Sequence, residues 1–276
     1  MNHIEQLYEH FPSAADACLI LSPQNRRYFT GFPSSAGVLF ITKEQAYFLV
    51  DFRYIEKAVK KIDNCQVVLL TNQKAQLSEL CRKHNVKVVA IESARMTVEE
   101  ADSYARMLEP VKLDKSPELS KAIERLRMIK TPEELARIDE AQKLTDDAFS
   151  YILNFIKPGK TEREIALEME FFIRRMGADG PSFDFIVVSG ANSSMPHGVP
   201  GEKPVEKGDF VTMDFGAVVD GYHSDMTRTV AVGSVTEEQE QVYHTVLQAQ
   251  RLALNLIKPG EICKNIDAAA RLFMRP

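Results

Sequence analysis

Between residues 209 and 230 the chain carries two aspartates, Asp214 and Asp225, inside runs that otherwise favour β-strands. Asp220-Gly221 lies between them and is a strong signal for a two-residue hairpin turn. If these two residues reverse the chain, Val219 faces Tyr222, Gly216 faces Asp225 and Asp214 faces Thr227. Residues 214, 216 and 218 then share a face with 223, 225 and 227, because side chains alternate along a strand. Asp214 and Asp225 become diagonal neighbours with Cβ atoms about 7–8 Å apart. Two carboxylates placed so repel, and one keeps a proton unless a cation lies between them. Two hard oxygen donors aimed at one point suit a divalent metal ion, or a pair of ions about 3.5–4 Å apart. The competing reading is two ordinary solvated residues, since aspartate is common in turns. Their place within apolar runs, on one face, favours the metal.

His197 is the second candidate. It lies in the small-residue loop Ser189-Gly190-Ala191-Asn192-Ser193-Ser194-Met195-Pro196-His197-Gly198, which follows a strand-like run at 185–188. Flanked by Pro196 and Gly198, its side chain sits in an irregular turn of the kind that presents groups to a cleft. A neutral imidazole there can donate to a substrate carbonyl or shuttle a proton near pH 7. An exposed loop histidine without a role is the alternative. Asp214-Phe215-Gly216 also spells the metal-binding tripeptide of protein kinases, but no Gly-rich nucleotide loop or H-R-D segment accompanies it. H-E-x-x-H, G-x-S-x-G and P-loop patterns are missing as well, which removes zincin, serine-hydrolase and nucleotide-binding readings.

The elements that must position these residues fall into two halves. In the first, apolar runs at 17–21, 37–41, 46–50, 65–70 and 86–91 read as buried strands. Helical spacing at 54–61, 75–84 and 98–107 alternates with them, which predicts an α/β domain with a mixed or parallel sheet covered by helices. A charged stretch at 113–130 follows. There Ser116-Pro117-Glu118 and Thr131-Pro132-Glu133-Glu134 each open a helix, with a hydroxyl as cap and Pro where its missing N–H costs nothing. The domain boundary falls near 115–128, dividing the chain into 1–125 and 126–276.

The second half repeats itself. Asn154-Phe155-Ile156-Lys157-Pro158-Gly159 matches Asn255-Leu256-Ile257-Lys258-Pro259-Gly260. Each copy follows a long helix (131–155 and 236–257) and precedes a second one (161–176 and 262–274). Thr131 with Glu134, Thr161 with Glu164 and Thr236 with Gln239 have the spacing of capping boxes. The first copy runs on into a strand at 182–189, the loop bearing His197 and a strand pair ending near Val232, an α+β arrangement. The second copy reaches Pro276 as its helix finishes. By this internal symmetry its helix pair lacks a sheet to cover, its apolar face is left open, and the chain is expected to be cut short.

Composition excludes several classes. Hydrophobic residues at 45% and charged residues at 26% are the balance of a globular chain, not a disordered or fibrous one. A net charge of −5, from 34 basic and 39 acidic residues, offers no basic surplus for nucleic acid. No apolar run approaches the roughly 20 residues that cross a membrane, and Met1-Asn2-His3-Ile4 lacks a signal-peptide pattern. Cys18, Cys65, Cys81 and Cys263 form no C-x-x-C pair and read as reduced thiols of a cytoplasmic protein.

Asp214-Phe215-Gly216, followed by Gly221-Tyr222-His223-Ser224-Asp225-Met226-Thr227-Arg228-Thr229, resembles the signature of the Xaa-Pro peptidases: prolidase, aminopeptidase P and relatives with the pita-bread fold. Ser189-Gly190 through Asn192 and Pro196-His197-Gly198 resemble the loop that precedes it. Asn25-Arg26-Arg27-Tyr28-Phe29-Thr30-Gly31-Phe32 and Asp51-Phe52-Arg53-Tyr54 are similar to the creatinase/prolidase-type N-terminal domain, which methionine aminopeptidases lack. The resemblance implies an α/β N-terminal domain followed by an incomplete α+β pita-bread domain.

It also implies two divalent ions, manganese or cobalt, held by two Asp, one His and two Glu. Asp214 and Asp225 match the two Asp, with Asp225 bridging both ions. His197 matches the histidine that contacts substrate near the scissile bond, a catalytic and substrate-binding role. In the family the remaining three ligands lie beyond the helix at which this sequence stops, so the resemblance predicts little or no activity for these 276 residues. It implies a hydrolase of the bond preceding proline in a proline-containing peptide, and a homodimer. A non-catalytic binding protein on the same scaffold is the competing reading. A metal-free creatinase comes third, because creatinase-like sites do not retain the Asp pair.

Overall fold

Val38–Thr42 (β2) and Ala46–Val50 (β3) are buried at every position, which requires cover on both faces of their sheet. They join β1 (Ala17–Ile20), β4 (Gln66–Leu69), β5 (Val88–Ile91) and β6 (Lys112–Asp114) in the order β4-β3-β2-β1-β5-β6. β2 is antiparallel to both neighbours while the outer pairings are parallel, a mixed sheet as expected. The computed structural model describes residues 2–275. It divides into two compact units, one through Lys130 and one from Thr131.

Helices α1 (His3–Glu9), α2 (Pro23–Thr30), α3 (Ile55–Lys61), α4 (Gln73–Lys83), α5 (Val98–Leu108) and α6 (Glu118–Met128) cover the first sheet. One core gathers Ile4, Leu7, Phe29, Ile41, Phe48, Leu119 and Ile123; another gathers Leu19, Phe40, Tyr47, Leu77, Ala101 and Leu108. Strand residues from alternate positions enter the two clusters, so the sheet is sandwiched between helical layers. Beyond α1 and β6, which the sequence reading does not contain, two details depart from it. α2 was not foreseen, because its polar residues Asn25 and Arg26 are buried rather than exposed. Pro117, not Ser116, stands at the cap of α6; the Ser116 hydroxyl donates to Asp114 Oδ2 at 2.9 Å and reaches the first amide of the helix, Glu118 N–H, only at 3.5 Å.

The second unit contains α7 (Pro132–Ile152), α8 (Glu162–Arg175), β7 (Gly180–Pro181), β8 (Ile186–Ser189), β9 (Phe210–Phe215), β10 (Ala217–Val219), β11 (Tyr222–His223), β12 (Met226–Ala231), α9 (Glu237–Leu256) and α10 (Cys263–Phe273). The three capping boxes all form, at Thr131/Glu134, Thr161/Glu164 and Thr236/Gln239. Two small antiparallel sheets result, β12-β9-β8 and β11-β10-β7. Ala148 and Ile152 of α7 and Ile165, Met169 and Ile173 of α8 bury Val187, Val211, Met213 and Phe215 on one sheet face. α9 and α10 pack on each other, and Val242, Val246, Leu254, Ile262 and Leu272 remain exposed there. Among the described residues no helix is long and apolar enough to cross a membrane. The four cysteines are free.

Candidate metal centre

Asp220 and Gly221 have φ of 49° and 78°, both in the left-handed region that a two-residue hairpin turn requires. Val219 pairs with Tyr222 and Val218 with His223. Farther along, Phe215 pairs with Met226 and Asp214 with Thr227. One register therefore runs through the whole ribbon, as its turn predicts, although the ladder breaks into two sheets around Gly216 and Asp225.

That break is held in place from behind. Ser224 is buried, and its Oγ accepts from the Ala217 N–H at 2.9 Å while lying 2.6 Å from Thr145 Oγ1 and 3.0 Å from the Ala141 carbonyl of α7. Ser182 Oγ lies 2.8 Å from the Ala217 carbonyl and 2.7 Å from that of Ser224, and can donate to either. Gly216 fits because it has no side chain: a Cβ there would sit 2.0 Å from the Ser224 carbonyl oxygen. At the tip, the Tyr222 hydroxyl donates to Glu134 Oε1 at 2.8 Å beneath the Arg137 guanidinium. Burial, and then the Glu134 carboxylate, push the Tyr222 pKa up to about 12.

The residues alternate accordingly. Met213, Phe215, Ser224 and Met226 turn into the helices, and Asp214 and Asp225 belong to the opposite, open face. Asp214 is half-buried and takes one hydrogen bond, from Thr227 Oγ1 to Oδ1 at 2.8 Å. Asp225 is exposed and has no hydrogen-bond or ion-pair partner among the described residues. Thr212 and Thr229 continue the same face, with their hydroxyls 3.0 Å apart. Two hard oxygen donors, mostly uncommitted, fit part of a divalent ion's coordination shell, which takes six or more oxygens for calcium-like ions and commonly includes water. Among the described residues no three His, Cys, Asp or Glu side chains converge on one point. Asp214 and Asp225 thus supply a partial ligand set.

His197 is exposed on the loop that leaves β8, past a 3₁₀ turn at Gly190–Ser194. β8 is the immediate neighbour of β9, with Ile186 opposite Asp214 and Ser189 opposite Val211. Gly198 lets the turn press on the sheet, since a Cβ there would lie 2.5 Å from Val188 Cγ1. His197 is not drawn into a three-member cluster with the two aspartates.

Sequence reasoning missed the polar groups under this loop. Lys203 Nζ donates to Asp209 Oδ2 at 2.7 Å and to Ser189 Oγ at 3.0 Å. Burial raises the Asp209 pKa, but the hydrogen bonds from Lys203 and the Glu206 N–H outweigh it and leave the carboxyl below its ordinary value. Glu162, fully buried at the start of α8, accepts from the loop's stem. Nothing in the spacing announces it; Thr161 and Glu164 beside it carry the visible capping signal.

Both halves of the chain match known proteins. Residues 136–276 match metallopeptidase family M24, and residues 12–129 match the creatinase/prolidase N-terminal domain. The chain is 41% identical over 257 residues to an uncharacterized peptidase of Bacillus subtilis, covering 93% of this chain and 72% of that one. It is 34% identical to the Xaa-Pro dipeptidase of Pyrococcus furiosus, covering 95% and 74%. Among solved structures, the Xaa-Pro dipeptidase from Bacillus anthracis superposes with a TM-score of 0.92 at 37% identity, over 98% of this chain and 76% of that one. The fold is therefore an α/β N-terminal domain joined to a pita-bread-type α+β unit. With both halves matched in order and relatives well above 30% identity, the chain belongs to the Xaa-Pro peptidase branch of metallopeptidase family M24, a family of hydrolases.

Proposed function

We propose that this protein is a metal-dependent peptidase that cleaves the bond between an N-terminal residue and proline. The observation that supports the reading is the register of the β9–β12 ribbon, which puts Asp214 and Asp225 on diagonal positions of its open face, with Asp225 lacking a partner among the described residues. The names of its relatives, Xaa-Pro dipeptidases, support the substrate class. Asp214 and Asp225 would hold the divalent ions, manganese or cobalt. When bound, such ions polarise a carbonyl and lower the pKa of a coordinated water. His197, from the adjoining loop, would donate a hydrogen bond to the substrate near the scissile bond.

For the 276-residue polypeptide assayed by itself, the proposal carries a low rate. Two carboxylates leave most of an ion's shell to water, so the ion is held weakly. The same reading includes a domain boundary near residue 126, a few residues before the division after Lys130, a homodimer that light scattering would test, and a cytoplasmic setting in keeping with four free thiols.

The test is hydrolysis of Xaa-Pro and Xaa-Ala dipeptides with added Mn²⁺, run beside the Pyrococcus furiosus enzyme. Slow, metal-dependent turnover restricted to Xaa-Pro is the expected outcome. Equal cleavage of Xaa-Ala would overturn the substrate reading, and a rate matching the archaeal enzyme would overturn the low-rate reading.

A further inference from the structure

The loop that carries His197 is tied to the fold through one buried carboxylate. Glu162 is the first residue of α8 and is fully buried. Its Oε1 accepts from the Ser189 N–H at 2.7 Å, the Ser189 hydroxyl at 2.9 Å and Asn192 Nδ2 at 3.1 Å. Its Oε2 accepts from the Gly201 N–H at 3.2 Å. Ser189 and Gly201 are the two ends of the loop, so a single side chain clasps both stems. The backbone repeats the clasp: Arg163 N–H donates to the Gly201 carbonyl at 3.0 Å and Glu162 N–H to the Lys203 carbonyl at 3.1 Å.

A buried carboxylate is expensive unless every oxygen is hydrogen-bonded, and this one is. Its charge is further eased by the amino end of α8 and by Lys203, which reaches the same Ser189 hydroxyl. His197, by contrast, makes no hydrogen bond or ion pair of its own among the described residues. Where the imidazole sits therefore depends on the loop backbone, whose stems are held by the Glu162 side chain together with the β8–β9 pairing and the backbone bonds of Glu162 and Arg163.

We infer that Glu162 is a positioning residue: it fixes the loop between Ser189 and Gly201 and so holds His197 at the site. The inference rests on the reading of His197 as a substrate-contacting group. It assigns Glu162 no contact with substrate or metal.

The test uses the whole chain, with Glu162→Ala and Glu162→Gln. The glutamine keeps the reach but turns an amide N–H₂ toward one stem, donor against donor, so it should release the Gly201 end and spare Ser189. Alanine should release both. The expected result is exchange of the released amides at least about tenfold faster, while Val211 and Met213 in β9 stay protected, as local opening requires. The His197 ring resonances should move in both variants, and those of the other five histidines should not. Unchanged exchange at Ser189 and Gly201 would overturn the inference. So would an equal rise at Val211 and Met213, because that is loosening of the whole unit. If the alanine variant fails to fold, the glutamine variant decides alone. Adding an Xaa-Pro dipeptide with Mg²⁺, a diamagnetic ion that leaves the ring signals sharp, separates the two readings. If the dipeptide never shifts the wild-type His197 ring, the His197 role fails whatever Glu162 does. If it shifts the wild-type ring and the variants need at least about tenfold more dipeptide for the same shift, the positioning role holds.

Discussion

Gly216 lies between the two aspartates, and replacing it by alanine tests whether the pinch in the ribbon positions them. The added methyl carbon would stand 2.0 Å from the Ser224 carbonyl oxygen, 2.8 Å from its carbon and 3.0 Å from Ser182 Oγ. Ordinary contact starts near 3.4 Å, so the strands must part by more than an ångström. The two nearest atoms cannot swing aside, because they are backbone. Parting them strains the Ser224 N–H to Ala217 carbonyl bond, the Ser182 N–H to Gly216 carbonyl bond and the Ala217 N–H to Ser224 Oγ bond. Overpacking costs about 1–3 kcal/mol, and each buried hydrogen bond lost adds about 1 kcal/mol. A loss of about 3 kcal/mol or more follows, and at about 2–4 °C per kcal/mol the melting temperature of this unit should fall by about 6–12 °C. Thermal unfolding by near-ultraviolet circular dichroism, with exposed-site Ser234→Ala as control, measures it. Mn²⁺ affinity should fall in the same variant under native conditions. A Gly216→Ala protein that melts with the control and binds Mn²⁺ unchanged would refute the reasoning.

Two further outcomes follow from the same neighbourhood. Ser224→Ala strands the Ala217 N–H in a buried place and should cost about 1–3 kcal/mol in urea unfolding; a variant as stable as wild type would mean that another acceptor takes over. Tyr222 has a folded pKa of about 12 against an ordinary 10.0, so its hydrogen bond to Glu134 contributes fully below pH 10 and is lost as pH rises toward 12. Tyr222→Phe should therefore melt below wild type at pH 8, with the difference shrinking between pH 10 and 12; a difference constant with pH would contradict the assignment.

Features written in neighbouring residues were legible before the structure. Asp220-Gly221 specified the turn, and the turn alone placed Asp214 opposite Thr227 and Val219 opposite Tyr222. The three capping boxes marked the starts of α7, α8 and α9 because a cap is a contact three residues long. The apolar runs of the first half marked five of its six strands, most plainly β2 and β3, which are buried on both faces; β6 (Lys112–Asp114), short and polar, went unread. What stayed hidden depends on partners far away in the chain. α2 reads as a polar loop until Asn25 is seen donating to Glu92 Oε1 at 2.6 Å, 67 residues on. Glu162 looks like an ordinary first-turn acid until Ser189 and Gly201 close over it. Gly216 looks interchangeable with alanine until the Ser224 carbonyl is placed beside it.

The proposal that Asp214 and Asp225 grip a divalent ion together can be tested without any catalytic readout. Mn²⁺ is paramagnetic and broadens the nuclear resonances closest to it. Titrated into the ¹⁵N-labelled protein, it should erase the amide signals of β9 and β12 around Asp214 and Asp225 first. Asp214→Asn and Asp225→Asn should each abolish that selectivity, while Asp220→Asn, at the tip of the same ribbon, should leave it intact. Broadening that survives both substitutions, or that Asp220→Asn removes equally, would contradict the account.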